Sequence, residues 1–442
     1  MNNLIVLRLL GLVSLFILLT LSAGTAQAQA PTWQWATKAG ARTGGSIAVD
    51  AAGNIYETGE LTGTATFGAT TLTSAGNGDL FVAKLNSSGA YQWALSVGSS
   101  RGEHGTGIAL DTGGNIYVTG IFNSTTLSFG SVTITNHSSN TDFFVAKLTA
   151  AGVWAWAVSA GASDHDLSAA LALDNSGNVY ITGKLVGQVV FGNTTLNGLG
   201  GADVFVAKLN SAGAWQWAVS AGGLGDDYGE ALALNDSGNV YITGYFHSPT
   251  ATFGSTTFTN SSSGGFFDTD VFVAKLTSAG AWQWAARTTG AGYEVSTGLA
   301  VDGNDNLYLA GYFESPTAAF GTIALTNNGA YDAFVAKLDI NGMWQWAHNM
   351  GGHTYDGSNG VAVDSSGNVY VSGSFEGNPV SFGATILQSV GANDLFVAKL
   401  NPAGTWQWAT SAGGSGRDGG VGVVDPIGNV YVTGGFQGLV AV

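Results

Sequence analysis

The sequence predicts an all-β fold, a seven-bladed β-propeller, and three observations predict it. The segment FVAKL begins at Phe81, Phe144, Phe205, Phe272, Phe334 and Phe396, at spacings of 63, 61, 67, 62 and 62 residues. The signature Asp-x-x-Gly-Asn-x-Tyr begins at Asp50, Asp111, Asp174, Asp364 and Asp425, with variants at Asn235 and Asp302. An aromatic pair stands at Trp33/Trp35, Tyr91/Trp93, Trp154/Trp156, Trp215/Trp217, Trp282/Trp284, Trp344/Trp346 and Trp406/Trp408. A fixed period means that one supersecondary unit recurs and buries its apolar faces against its neighbours.

Each unit reads as four strands, typified by GIALD, NIYVTG, FVAKL and WQWA. They are short, rich in β-branched and aromatic residues, and apolar on both faces, so both faces must be covered. Sheets stacked around an axis cover every unit alike. The turns agree with this. Asp174-Asn175-Ser176-Gly177-Asn178 joins the first strand to the second, and Asn210-Ser211-Ala212-Gly213 joins the third to the fourth. Both fit a type I turn ending in a left-handed residue, which Gly adopts without strain. The leading Asp or Asn then accepts the turn's N–H groups. Only Asp302-Gly303-Asn304-Asp305-Asn306 leans toward a calcium loop. Between strands two and three lies a T-x-x-F-G … T-x-L-T pattern, as in Thr64–Gly68 and Thr70–Thr73, read as an extra short hairpin. No helical periodicity follows the N-terminal segment.

Composition suits this reading. Of 442 residues, 68 are Gly, 45% are hydrophobic and only 10% are charged. Such a chain is not disordered, and it suits many short strands joined by tight turns. The net charge of −16 argues against nucleic acid and anionic membranes as partners. With 0 Cys, disulfides, thiolate catalysis and cysteine-ligated metals are excluded.

The N-terminus differs. Arg8 is followed by the apolar run Leu9–Leu21 and by an A-x-A site at Ala26-Gln27-Ala28. Residues 1–28 are read as a cleaved signal peptide and residues 31–442 as a single propeller of repeats of about 62 residues. Losing Arg8 takes the net charge from −16 to −17. No later stretch is long enough to span a bilayer. The mature chain is expected to be a monomer, secreted or held at the surface of a bacterium, with the periplasm as a further destination.

The motifs GNVYVTG, D-x-FVAKL and G-x-WQWA, in seven-fold recurrence over residues 31–442, resemble the bacterial β-propeller repeat (SBBP) proteins. The resemblance implies a propeller of exported or surface proteins and no common catalytic activity.

Closure is expected through the N-terminus, with the Trp33/Trp35 strand as the outer strand of the last blade. The last unit lacks FVAKL, and Leu439-Val440-Ala441-Val442 is expected to supply its third strand.

A Trp pair on every blade at one register reads as blade-to-blade glue, with sugar contact as the alternative. The lysines of FVAKL and the aspartates five residues earlier (Asp79, Asp142, Asp203, Asp270, Asp332, Asp394) are expected to pair across blades or to cap turns. Glu103, Asp166, Asp227, Glu294, Asp356 and Asp418 precede each first strand, in the loop from one blade to the next. They are expected to cap those loops and to form an acidic channel mouth. That mouth is the candidate ligand or cation site, with weak divalent-cation binding; no other cofactor is expected. The first unit has Arg42 there. Gly98-Ser99-Ser100-Arg101-Gly102 matches G-x-S-x-G, but without the strand-to-helix elbow that gives the motif meaning. The histidines show no metal-ligand spacing, and His165-Asp166 reads as loop surface rather than a catalytic dyad. Arg42, Arg101, Arg287 and Arg417 depart from the repeat. The expected function is a binding or structural interaction module for a protein or glycan ligand, without catalysis. The alternative is a carbohydrate-binding propeller or a hydrolase with its site in the channel.

Overall fold

The computed structural model describes residues 3–9, 30–39, 43–137, 140–162, 164–261, 268–377, 379–425, 428–436 and 440–441. Among them there is strand and turn but no helix. Each FVAKL-bearing unit places its strands in sequence order within one antiparallel sheet. In one unit these are Glu103–Leu110, Ile116–Phe122, Asp142–Leu148 and Trp154–Ala160. The first strands of successive units line a central cavity of 450 Å³ through Thr106, Ala169, Glu230, Thr297, Asn359 and Gly420. The arrangement is that of a β-propeller.

The third strand is buried along nearly its whole length, with only the Lys side chain reaching out. The reason is that both of its faces pack against neighbouring sheets. Phe143 of one unit stacks on Phe205 of the next at 5.0 Å between ring centroids.

The turns follow the sequence. Asp174 Oδ1 accepts the N–H groups of Ser176 and Asn178, and its Oδ2 accepts the Asn178 amide and the Tyr180 hydroxyl. Gly177 sits at φ 73° and Gly213 at φ 82°, the left-handed conformation that each turn needs. Asp305 holds the equivalent place in its turn at φ 62°. Lys208 Nζ lies 3.7 Å from the turn's Asp174 and 4.6 Å above the Tyr180 ring. Lys147, Lys208 and Lys399 thus pair with the turn carboxylate of their own blade, while Lys337 donates to the Pro402 carbonyl of the next blade at 3.3 Å. The Asp before FVAKL caps the preceding loop, as Asp203 does by accepting the Leu199 N–H at 2.6 Å.

The aromatic pair joins blades. Trp217 Nε1 donates to the Ser278 carbonyl of the next unit at 3.1 Å, and its ring meets Tyr180 edge-on at 6.0 Å. Trp215 packs edge-on against Phe191 of the extra hairpin at 5.1 Å. The intervening Gln216 is exposed. The hairpins also reach back to the preceding blade, where Gly222 and Gly223 pair with Thr252 and Ala251.

The last sheet differs from expectation. Its order is Trp33–Ala39, Asn3–Leu9, Val430–Phe436, Gly419–Val424. The N-terminal Trp strand is the outer strand, as expected. The third place, however, is held by Asn3–Leu9 and not by Val440–Ala441 of the expected segment. Arg8 pairs in register with Tyr431 and Trp35, as Lys147 pairs with Tyr117 and Trp156. NLIVLRL has the apolar-then-basic-then-apolar order of FVAKL, which is why it fits this register. Val440–Ala441 pairs instead with Gly413 and Gly414 of the preceding blade, as a hairpin strand does. The rest of the segment read as a signal peptide, including Ala26–Ala28, lies outside the described residues, as does Arg42.

Candidate functional site

The six acids before the first strands are all buried. They face their own loops. Glu103 accepts the Ser99 N–H at 2.8 Å, Asp356 the Gly352 N–H at 2.7 Å and Asp418 the Gly414 N–H at 2.8 Å. Asp166 accepts from Ala162 at 2.6 Å and from Val186, in the connection after strand two, at 2.7 Å. Asp227 accepts from Gly223 and from the Ser248 hydroxyl and N–H. Glu294 accepts the Ser315 hydroxyl. The loop is therefore pinned between two blades by a carboxylate. Burial pushes Asp166 and Asp356 up to about 6 and Glu294 up to about 8. Among the described residues, no group of three or more His, Asp or Glu is placed to hold a metal ion.

The other candidates do not converge. In the G-x-S-x-G stretch the serine of the motif is Ser100, and its neighbour Ser99 bonds Glu103. His165 meets Thr141, while Asp166 is turned to loop N–H groups. Arg287 forms an ion pair with Asp270 at 2.7 Å, Arg101 donates to the Asn123 carbonyl, and Arg417 is exposed in a loop bridged to Asn393.

What does converge is a run of tyrosines on the same face. Tyr228 and Tyr245 stack at 4.8 Å, Tyr245 meets Tyr293 at 6.0 Å, and Tyr293 meets Tyr312 at 6.1 Å. Tyr312 meets Tyr331 at 5.7 Å, and Tyr331 stacks on Tyr355 at 5.3 Å. The fold brings them together in two ways. Tyr245 and Tyr312 end second strands, beside Phe246 and Phe313. Tyr331 and Tyr355 face each other through a parallel bridge between the loops of adjacent blades. Tyr355 is 55% exposed and the other five are half-buried. Tyr293 lies within electrostatic reach of Tyr245 and Tyr312, and Tyr331 within reach of Glu314.

Beside Tyr228 lies a cavity of 310 Å³ lined by His104, Ile121, Lys184, Tyr228 and Glu230. Lys184 Nζ sits 4.7 Å above the Tyr228 ring. Burial pushes Glu230 up to about 7, with Lys184 opposing, and pushes His104 down. Sequence reasoning missed this cluster. Its tyrosines occupy four different places in the repeat; only Tyr245/Tyr312 and Tyr293/Tyr355 recur at the repeat period, and each of those places holds Tyr in just two units. The available signal was departure from the repeat: where Tyr228 stands, other units have His104, Leu167, Val295 and Gly357.

Residues 345–374 match the SBBP beta-propeller repeat. The match supports the resemblance carried by the GNVYVTG and FVAKL motifs. The chain is also similar to an uncharacterized WD repeat-containing protein, L264, of Acanthamoeba polyphaga mimivirus, at 26% identity over 84% of this chain and 32% of that protein. It is 27% identical to regulatory protein FlaEY of Caulobacter vibrioides, over 52% of this chain and 24% of that one. The chain thus spans a third or less of the curated relatives it matches. Among solved structures, Sqt1 from Chaetomium thermophilum aligns at a TM-score of 0.43 and 9% identity, covering 90% of this chain and 97% of that one.

Proposed function

We propose that this protein is an exported, seven-bladed propeller that acts as a binding module rather than an enzyme. Its recognition surface is the face that carries the tyrosine run. The observation that supports this reading is the contact of six tyrosines, from Tyr228 to Tyr355, contributed by neighbouring blades at one rim of the ring. Large amphipathic rings with few rotatable bonds are the side chains that binding surfaces favour. The acids of the same face serve the loops, which leaves the tyrosines as that face's contact surface. Export is read from the leader pattern of residues 1–28, whose cleavage would take Asn3–Leu9 out of the last sheet and open the place beside Val430–Phe436, and a secreted or surface location suits the SBBP repeat. The WD-repeat relative accords with an interaction role.

The alternative, a carbohydrate-binding propeller or a channel hydrolase, is separated by one experiment. The purified protein is screened on a glycan array and against a panel of exported proteins, alongside a Tyr293→Ala/Tyr312→Ala variant. Binding that disappears in the variant, without turnover of the ligand, is the expected result. Ligand turnover, or binding that survives the double substitution, overturns the reading.

A further inference from the structure

The chain has one recurring way of holding an ammonium group. The six FVAKL lysines each lie over the tyrosine of the second strand in their own blade, from 4.6 Å for Lys208 over Tyr180 to 5.2 Å for Lys275 over Tyr241. In three of these a turn carboxylate completes the arrangement: Asp111 at 3.7 Å, Asp174 at 3.7 Å and Asp364 at 3.8 Å from the nitrogen. A ring face and a carboxylate together attract a cation, the face through its quadrupole and the acid through its charge.

The channel-mouth tyrosines repeat the ring-and-carboxylate half of this arrangement. Lys184 over Tyr228, beside Glu230, fills the first position in cis. Among the described residues, the chain's own cations lie over none of Tyr245, Tyr293, Tyr312 and Tyr331. Glu230 acts electrostatically on Tyr245, Tyr293 and Tyr312, and the exposed Glu314 acts on Tyr331. The exposed Asp226 lies within electrostatic reach of Tyr228. The protein as a whole carries −16 with only 13 basic residues, so its field draws cations toward any open acidic rim.

From this geometry we infer that the tyrosine run binds the ammonium or guanidinium groups of an extended, basic segment of a partner chain. The spacing favours a segment over a single small cation. Neighbouring rings stand 4.8 to 6.1 Å apart along the run. Same-side residues of an extended chain stand about 6.8 Å apart. That repeat exceeds each ring spacing, so Lys or Arg at alternate positions would reach open ring faces along the run through their flexible side chains rather than one ring per residue. This inference rests on the binding-face reading above and adds the chemistry of the ligand.

The test uses the full chain and a fluorescein-labelled peptide of alternating Lys and Gly, read by anisotropy. The expected result is saturable binding that weakens about ten-fold, or about 1.4 kcal/mol, in Tyr293→Ala/Tyr312→Ala. The Tyr293→Phe/Tyr312→Phe pair, which keeps the rings, should bind within about three-fold of the parent. Glu314→Gln should reduce both affinity and its salt dependence, whereas Asp236→Asn, an exposed acid in a turn between strands one and two, should do neither. Equal affinity for the parent and the alanine pair means attraction by net charge alone and overturns the inference. So does failure of the peptide to bind. If the peptide fails while a neutral glycan binds and is lost in the alanine pair, the organic-cation chemistry falls and the binding face stands. If the alanine pair loses no ligand of any kind, both fall. Should the alanine pair misfold, the phenylalanine pair and Glu314→Gln still decide, since ring retention with unchanged binding and acid loss with weakened binding are both required.

Discussion

The Tyr91 hydroxyl donates a 3.0 Å hydrogen bond to Glu57 Oε1, joining two departures from the repeat in one blade. Glu57 stands where the other units have Val118, Ile181, Ile242, Leu309, Val371 and Val432, and Tyr91 stands where most have Trp. Glu57 is 0% exposed and faces Thr433 of the last unit. Burial drives its carboxyl up to about 8, so it is held as the neutral acid near neutral pH.

Removing the Tyr91 hydroxyl should leave the buried acid without its donor. Tyr91→Phe is expected to cost about 1–3 kcal/mol in urea unfolding at pH 7. Glu57→Val/Tyr91→Trp restores the repeat's own pair and should be more stable than the parent at pH 8. A double variant less stable than Tyr91→Phe alone would mean that the pair is not a matched substitution.

Stability should fall as the pH rises from about 5 to 9. The carboxyls of Asp166, Asp203 and Asp356 are raised to about 6 and those of Glu57 and Glu294 to about 8. Each binds its proton more tightly folded than unfolded. Its contribution is complete below the ordinary carboxylate pKa and is lost as pH climbs through the raised value. His104 and His348, pushed down by burial, act oppositely and lose stability as the pH falls below the usual imidazole range. The turn acids Asp111, Asp174, Asp302 and Asp364 are held down by hydrogen bonds against the opposing effect of burial, and they lose stability only under stronger acid. A thermal midpoint that is flat between pH 5 and 9 would contradict this, and Glu57→Val should remove part of the alkaline decline.

Trp215→Ala should cost about 3 kcal/mol through lost packing on Phe191. Gly213→Ala tests the neighbouring contact between blades. A Cβ there would come within 2.7 Å of the Trp156 ring, at a φ of 82°. A loss of about 1–2 kcal/mol is expected in thermal unfolding. Near-neutral results for both would argue against the aromatic pairs as blade glue.

Asp227→Ala removes a carboxylate that holds the Gly223 N–H and the Ser248 hydroxyl and N–H. About 2–4 kcal/mol of stability should be lost, because buried donors are left unpaired. Calcium titration by calorimetry of the parent and of Asp227→Asn separates this capping role from a cation site. A tight site present in the parent and absent in the variant would restore the acids as ligands.

The repeat, the turn chemistry and the paired aromatics could be read from the sequence because each is local and periodic. A left-handed glycine after Asp174, an FVAKL strand apolar on both faces and a Trp-x-Trp strand have one physical use each, and each recurs often enough to be recognised. The loop-capping role of the six acids was legible for the same reason, since their register is fixed against the strand they precede. Tertiary structure alone decided how the last sheet is filled. Asn3–Leu9 and Val440–Ala441 are short apolar segments with several possible partners, and only the registers available beside Val430–Phe436 and Gly413–Gly414 choose between them. It also decided the tyrosine run. Tyr245 and Tyr312 stand one repeat apart, as do Tyr293 and Tyr355, but Tyr228 and Tyr331 each occupy a place of their own, and the six meet only because the ring brings strand ends and loops of neighbouring blades to one rim.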